Sequence, residues 1–406
     1  MNNKYSIAIF NNLKHKTYAM NVSKSSLLIF FIPFIVFIIY SINIIYLFHN
    51  ETADIKWPGL AWARAYINDH KQGSPPKVAS EILSYGDVIL VNKMPDGNYH
   101  LSQLPTASAA IVSISPDDGA IKAAVGGFSF RQSQFNRVTQ AKRQVGSNIK
   151  PFIYSAALEH GFTLASLVND APINQWDSSS GGVWRPRNSP EKYVGPLRVR
   201  LALAQSKNVV AVRLLKNIGV TKTINHLTAF GFSANDLPRS ETLALGSASL
   251  TPLEVATGFA TFANGGFLMK PLLVKQIIDE NGKSIYRETP EVLRKVSDPL
   301  VMKDLTNMLT RVVETGTGTN AYIPGWSIAG KTGTAEKFID GEYSKTKYIS
   351  NFAGFFPAEN PQIVGVFVLN EPKYGFHWGN IGAATIFNRV IKRIINMDDS
   401  IQILKD

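Results

Sequence analysis

No cysteine occurs anywhere in the 406 residues. That absence excludes a disulfide framework, a thiol nucleophile and a cysteine-bound metal, so the folded part must be held by a packed core. Acidic side chains are also in deficit, 30 Asp and Glu against 42 Lys and Arg, for a formal charge of +12. Such a balance raises nucleic acid as a partner, but the basic residues are scattered along the chain rather than clustered. Internal repeats and low-complexity tracts are missing, which excludes solenoids and arrays. The length leaves room for two or three domains.

Residues 27–48 in turn lack charge altogether, reading LLIFFIPFIVFIIYSINIIYLF, with Ser41 and Asn43 the clearly polar members. A hydrocarbon core needs roughly 20 apolar residues, and membrane helices tolerate a proline such as Pro33. A cleaved signal peptide would have an apolar run of about 7–15 residues and a small-residue cleavage site; this run is longer and exits through Tyr46, Leu47 and Phe48. An uncleaved anchor is therefore expected. Lys4, Lys14, Lys16 and Lys24 precede it while Glu51 and Asp54 follow, and positive flanks stay in the cytoplasm. The layout predicted is a cytoplasmic tail at 1–26, a single transmembrane helix at 27–48, a linker module at 49–107 and a catalytic domain at 108–400 outside the cytoplasm. That location also argues against nucleic acid.

Within 49–107, an amphipathic piece at 57–69 and a Gly/Ser/Pro break at 72–76 precede a hairpin, 87–91 with 99–101, turned by Pro95-Asp96-Gly97-Asn98. Beyond it, strands are expected at 110–114 and 120–125, helices at 197–218, 254–264 and 299–314, strands at 326–334, 349–356 and 363–369, and a last helix at 382–397. A helical middle between strands at both ends implies an α/β or α+β domain whose sheet joins early and late chain. Residues 176–188, with Trp176, Trp184, Arg185 and Arg187, read as a long irregular loop forming a groove wall.

The chemistry centres on QVGSNIKPFIYSAA at 144–157, where Ser147 and Lys150 stand three apart at the start of an apolar helix, on one face of its first turn. A serine hydroxyl is a weak nucleophile, and a lysine that has lost its proton can serve as its base. Alone the pattern is cheap: Ser74 with Lys77, Ser189 with Lys192 and Ser344 with Lys347 match it too. Two further pieces sharpen it. Ser206-Lys207-Asn208 opens a helical pattern, and Lys331-Thr332-Gly333-Thr334 ends a strand. Ser-x-Asn recurs at Ser41 and Ser233, but the ordered trio in these contexts is specific.

With these motifs the chain resembles the penicillin-binding D,D-transpeptidases from about Trp57 to the last helix. Phe135-Asn136-Arg137, residues 143–152, Trp184-Arg185-Pro186, residues 205–209 and Leu245-Gly246-Ser247 are similar to class A enzymes. Glu314-Thr315-Gly316-Thr317-Gly318, Tyr343-Ser344, Tyr348, Gly354-Phe355-Phe356-Pro357 and Glu371-Pro372-Lys373 are similar to class B. The glycosyltransferase domain of class A and its Glu-Asp-x-x-Phe signature are absent, so no glycan polymerisation is expected, and the class B pedestal is absent too.

The resemblance implies a serine β-lactamase-like fold with a central antiparallel sheet flanked by helices. It also implies an acyl-enzyme on Ser147, with Lys150 as base, Lys331 as a second cation lowering the Lys150 pKa, Ser206 passing a proton to the leaving group and Asn208 orienting Lys150. Thr332, Gly333 and Thr334 would bind substrate, and the N–H groups of Ser147 and Thr334 would form the oxyanion hole. The implied substrates are peptidoglycan stem peptides and the inhibitors β-lactams, with no metal or other cofactor. Partners would be glycan polymerases or divisome or elongasome proteins, at the inner membrane. A D,D-carboxypeptidase shares all three motifs, and a non-catalytic scaffold of a wall-synthesis complex is the alternative of another kind. No Glu-x-x-x-Asn loop stands between Ser206 and Lys331, so rapid hydrolysis of a penicillin is not expected.

Overall fold

The computed structural model describes residues 54–177, 182–339 and 341–397. The expected anchor at 27–48 and the tail before it lie outside the described residues. No helix among the described residues is long and apolar enough to cross a membrane. The chain divides into two compact units, one ending at Pro105 and the other beginning at Thr106.

The first unit is short on core. Its hairpin pairs Leu90–Lys93 with Tyr99–Ser102, somewhat later than the expected 87–91. The turn is closed by Met94 N to Asn98 O at 2.8 Å and by Asp96 Oδ1 accepting from Asn98 N at 3.0 Å. Gly97 takes φ +83, which a side chain would resist. The amphipathic piece forms a helix over Trp57–Leu60 alone; the chain then turns into the short strand Tyr66–Asn68, and Trp62 anchors to the hairpin through Nε1 to Leu101 O at 3.2 Å.

In the second unit five antiparallel strands are ordered β3-β4-β5-β1-β2: β1 is Ser108–Ile114, β2 Ile121–Val125, β3 Ala329–Ile339, β4 Glu342–Phe356 and β5 Ile363–Asn370. Early and late chain meet where β1 pairs β5, Ile114 opposite Val364 and Ala110 opposite Val368. Strand alternation sends successive side chains to opposite faces, and each face has its own core. Ala110, Val112, Ala353, Phe355, Val364 and Val366 join the large core. Phe352, Phe356 and Phe367 join the smaller one, under Phe387 and Ile391 of the last helix.

The helices are α1 (Lys150–Glu159), α2 (Val199–Ala204), α3 (Asn208–Ile218), α4 (Val220–Ala229), α5 (Pro252–Ala263), α6 (Pro299–Glu314) and α7 (Thr385–Ile395). α1 is buried on every side from Lys150 to Leu158, the mark of a central helix rather than a surface one. Phe152 at its start is ringed by Phe230, Phe232, Phe259 and Phe262, with ring centroids 4.6–5.8 Å away. This aromatic block walls off the first turn of α1 from water.

Four local expectations are corrected. Ser147 lies in a one-turn 3-10 helix, Gly146–Ile149, and the α-helix begins only at Lys150. The helix expected at 197–218 is broken between Ala204 and Asn208. Lys331 to Thr334 stand near the beginning of their strand, which runs on to Ile339. The loop at 176–188 contains a small antiparallel pair, Gln175–Asp177 with Gly182–Trp184.

Candidate active site

The serine turn is shaped by its glycine. Gly146 takes φ +55, and a Cβ there would stand 2.8 Å from Thr334 O, so only glycine lets this turn lie against β3. In a 3-10 turn residues i and i+3 eclipse, which aligns Ser147 with Lys150. Their environments differ. Ser147 is half-buried, whereas Lys150 is 0% exposed. Between them Asn148 points elsewhere, donating from Nδ2 to Asn351 Oδ1 at 2.8 Å.

The second motif sits in the break between α2 and α3. Ser206 has φ +53, a left-handed conformation uncommon outside glycine, and four long-range contacts hold the loop there. Lys207 Nζ is 2.8 Å from Asp170 Oδ2 and donates to Lys192 O at 2.9 Å. Asn188 Oδ1 accepts from Asn208 N at 2.9 Å and Val209 N at 3.2 Å, satisfying amides that α3 itself cannot. Asn188 Nδ2 in turn donates to Asp170 Oδ1 at 2.7 Å. Asp170 and Asn188 are thus the support of the Ser206 loop.

Strand β3 supplies the third motif from the edge of the sheet. At Gly333 a Cβ would collide with Asn351 Oδ1 and stand 2.8 Å from Val145 O, so the strand can close on the serine turn only without a side chain. Thr332 Oγ1 is 2.9 Å from Thr317 Oγ1, and Thr334 Oγ1 accepts from Gly379 N at 3.0 Å.

All three motifs converge on one hydroxyl. Lys331 Nζ is 2.9 Å from Ser206 Oγ and Lys150 Nζ is 3.2 Å from the same atom. Lys150 Nζ also donates to Ser206 O and Asn208 Oδ1, each at 2.6 Å, and Lys331 Nζ to Thr332 O at 2.9 Å. Among the described residues neither lysine is paired with a carboxylate. Two ammonium groups buried together without an anion are costly, and proteins relieve that cost by losing a proton. Burial first, and then the charge of Lys331, hold Lys150 well below the ordinary lysine range. Burial alone brings Lys331 down to about 7. A neutral amine has two N–H groups and one lone pair; with both N–H groups of Lys150 on the carbonyl oxygens of Ser206 and Asn208, the third contact, Ser206 Oγ at 3.2 Å, is where the lone pair stands.

Ser147, Lys150, Ser206, Asn208, Lys331, Thr332, Gly333 and Thr334 are thus brought into one groove. Ser147 Oγ makes no hydrogen bond to Lys150 or to any other described residue; Lys150 is instead committed to Ser206 and Asn208. Asp170, Asn188 and Thr317 went unrecognised as contributors, because their partners are 15 to 37 residues distant and follow no spacing rule. A look-alike pair is easily set aside: Ser155 Oγ lies 2.8 Å from His226 Nε2, but Ser155 is 0% exposed and no substrate reaches it. Burial pushes His226 down to about 4. Among the described residues no three His, Asp or Glu gather as a metal site.

Comparison with known proteins agrees with this architecture. Residues 41–107 match the penicillin-binding protein OB-like domain. The chain is 51% identical to penicillin-binding protein 1A of Vibrio cholerae over 243 residues, 59% of this chain and 30% of that protein. To penicillin-binding protein 1A of Pseudomonas aeruginosa it is 35% identical over 364 residues, 77% of this chain and 44% of that one. The chain thus spans less than half the length of these relatives. The crystal structure of penicillin-binding protein 1A from Haemophilus influenzae superposes with a TM-score of 0.70 at 31% identity, covering 80% of this chain and 53% of that one. A D,D-transpeptidase domain from Eggerthella lenta shares the fold at a TM-score of 0.61 and 22% identity. The penicillin binding protein transpeptidase domain matches residues 109–392, and the chain belongs to that family.

Proposed function

We propose that the chain is a serine D,D-transpeptidase that cross-links peptidoglycan stem peptides and is acylated by β-lactams. Ser147 Oγ attacks the carbonyl carbon between two terminal D-alanines while its proton passes to Lys150 Nζ. The C–N bond then breaks, and the departing D-alanine amine takes a proton through Ser206. An amine of a neighbouring stem peptide attacks the resulting ester, restoring Ser147 and forming the cross-link. The observation that carries this reading is the pair of carboxylate-free buried amines, Lys150 and Lys331, meeting at Ser206 Oγ. Ser147 must turn onto Lys150 from its unbonded position, and catalytic hydrogen bonds of this kind close in the substrate complex.

The other roles follow the same geometry. Asn208 Oδ1 orients Lys150. Thr332, Gly333 and Thr334 offer an edge strand to which an extended peptide can add, and the hydroxyls of Thr332 and Thr334 bind the terminal carboxylate. N–H groups of Ser147 and Thr334 receive the oxyanion, a contribution of about 2.7–4 kcal/mol per donor in related chemistry. The layout is the anchor at 27–48, the linker module at 49–107 and the catalytic domain at 108–400, held outside the cytoplasm at the inner membrane, where glycan polymerases and division or elongation proteins would be its partners. The OB-like match at 41–107 and the division at Pro105 support that layout.

The test is labelling of membranes with a fluorescent penicillin. Wild type takes a stable label and Ser147→Ala takes none. A wild-type chain that stays unlabelled removes the acyl-transfer reading.

A further inference from the structure

Strand β3 continues past the third motif, from Thr334 to Ile339. Thr334, Ala335 and Glu336 stand in unbroken register with Ser350, Ile349 and Tyr348 of β4. Strand alternation therefore puts the side chains of Thr334 and Glu336 on one face, about 6.6 Å apart along the strand. Two charged residues follow the motif, and they differ. Lys337 is met by Glu371, whereas Glu336 is exposed and in no ion pair among the described residues.

An aromatic wall runs beside that carboxylate. Tyr348, the cross-strand neighbour of Glu336, stacks on His377 with ring centroids 4.7 Å apart, and His377 lies 5.0 Å from the ring of Trp378. Trp378 is 47% exposed. Gly379, next in the chain, donates from N to Thr334 Oγ1 at 3.0 Å. The wall thus spans Thr334 to Glu336 on the face they share, and burial followed by the Glu336 charge pushes the Tyr348 phenol up. A carboxylate without a counter-ion beside aromatic faces attracts a cation, through a charge-assisted hydrogen bond and the ring quadrupoles.

Which part of a substrate arrives there follows from direction, on the acyl-transfer reading proposed above. With the terminal carboxylate on the hydroxyls of Thr332 and Thr334 and the oxyanion on Thr334 N–H, the donor peptide runs from its C-terminus near Thr332 toward its N-terminus beyond Thr334. The residue before the two D-alanines then lies about 3.3 Å further along β3, where a long side chain reaches Glu336. We propose that Glu336 selects donor peptides bearing a free ammonium on that side chain, that of a diamino acid whose second amine is unused. The same amine is the group through which a stem peptide accepts a cross-link, and forming the cross-link turns it into a neutral amide. The chain accordingly draws its donors from stem peptides that have not yet accepted.

The full chain carrying Ser147→Ala, which has no nucleophile to acylate, lets the donor complex be measured without turnover. Calorimetry compares Nα-acetyl-L-Lys-D-Ala-D-Ala with its Nα,Nε-diacetyl counterpart. The free amine is expected to bind about fivefold more tightly, the upper end for an exposed ion pair, and roughly 1 M salt should erode the preference. Adding Glu336→Gln should abolish it, and Glu336→Lys should reverse it. Equal affinities in the Ser147→Ala chain overturn the proposal, as does a preference that survives both substitutions of Glu336, or a chain that binds neither peptide. Fluorescent penicillin checks the acyl-transfer reading separately. Wild type and Glu336→Gln should label alike; labelling without an amine preference removes the role of Glu336 alone, whereas a wild-type chain that takes no label removes the reading on which that role rests.

Discussion

Three lysines are buried around the groove, and they meet two different fates. Lys207 is 8% exposed, and Asp170, at 0%, stands 2.8 Å from its amine. Lys150 and Lys331 are both 0% exposed and have no carboxylate partner among the described residues. The paired lysine is half of an ion pair that holds a loop. The unpaired ones are driven toward the neutral amine, which is the form able to accept a proton. What sets the unpaired lysines apart is burial without an anion. One residue of sequence separates Ser206 and Asn208, which bond the unpaired amines, from each other, and the residue between them is the paired Lys207.

The comparison can be broken most severely by removing the lone pair. Lys150→Arg keeps a long nitrogen-bearing side chain but cannot deprotonate, so penicillin acylation should fall about as far as in Lys150→Ala, on the order of 10²–10⁴-fold for loss of a general base. Lys207→Arg, which keeps its ion pair, should still label. Rapid stopped-flow acylation measures both, and a Lys150→Arg enzyme that labels normally removes Lys150 from the role of base.

Next in size is the loss of the anion on the other side. Asp170→Ala leaves Lys207 charged and buried, and also frees Asn188 Nδ2 and Val194 N. A broken buried pair costs about 3–5 kcal/mol. Urea unfolding should show a loss of that order, and a change under about 1 kcal/mol would mean that Lys207 finds water instead.

The third effect is on pH dependence. Lys331 titrates at about 7 in the folded chain against an ordinary 10.5, so between those values the unfolded chain binds more protons and stability rises with pH. Below about 7 the folded chain carries the full cost of a buried ammonium. Lys331→Met should flatten the slope of unfolding free energy over that window, measured by denaturant titration at several pH values. An unchanged slope would place the titrating group elsewhere.

Much of the sheet was readable because strand alternation and turn chemistry are local. The strands at 110–114 and 363–369 lie inside β1 and β5, and the helix at 299–314 coincides with α6. The break before Asn208 was readable in part: the polar run Gln205 to Asn208 interrupts the apolar spacing and opens a new helical pattern. What the sequence did not show is that Asn188, from another part of the chain, takes the amides of Asn208 and Val209. Gly330 and Gly333 likewise look like an end of strand, but pairing of β3 with β4 from Ala329 to Ile339 overrides their weak propensity. The candidate site residues were recognisable by type and order; their support, Asp170 and Asn188, was not, because an Asp or Asn in a loop has no period.

By itself the sequence determined the alternation that builds the sheet, the absence of thiol chemistry, the uncharged run at 27–48 and the three short motifs in their order. Only the tertiary structure decided which lysine receives an anion. Lys150, Lys207 and Lys331 are the same residue in the chain, and the difference among them is whether folding sets a carboxylate beside the amine or leaves it buried with neutral hydrogen-bond partners alone, where a charge is costly.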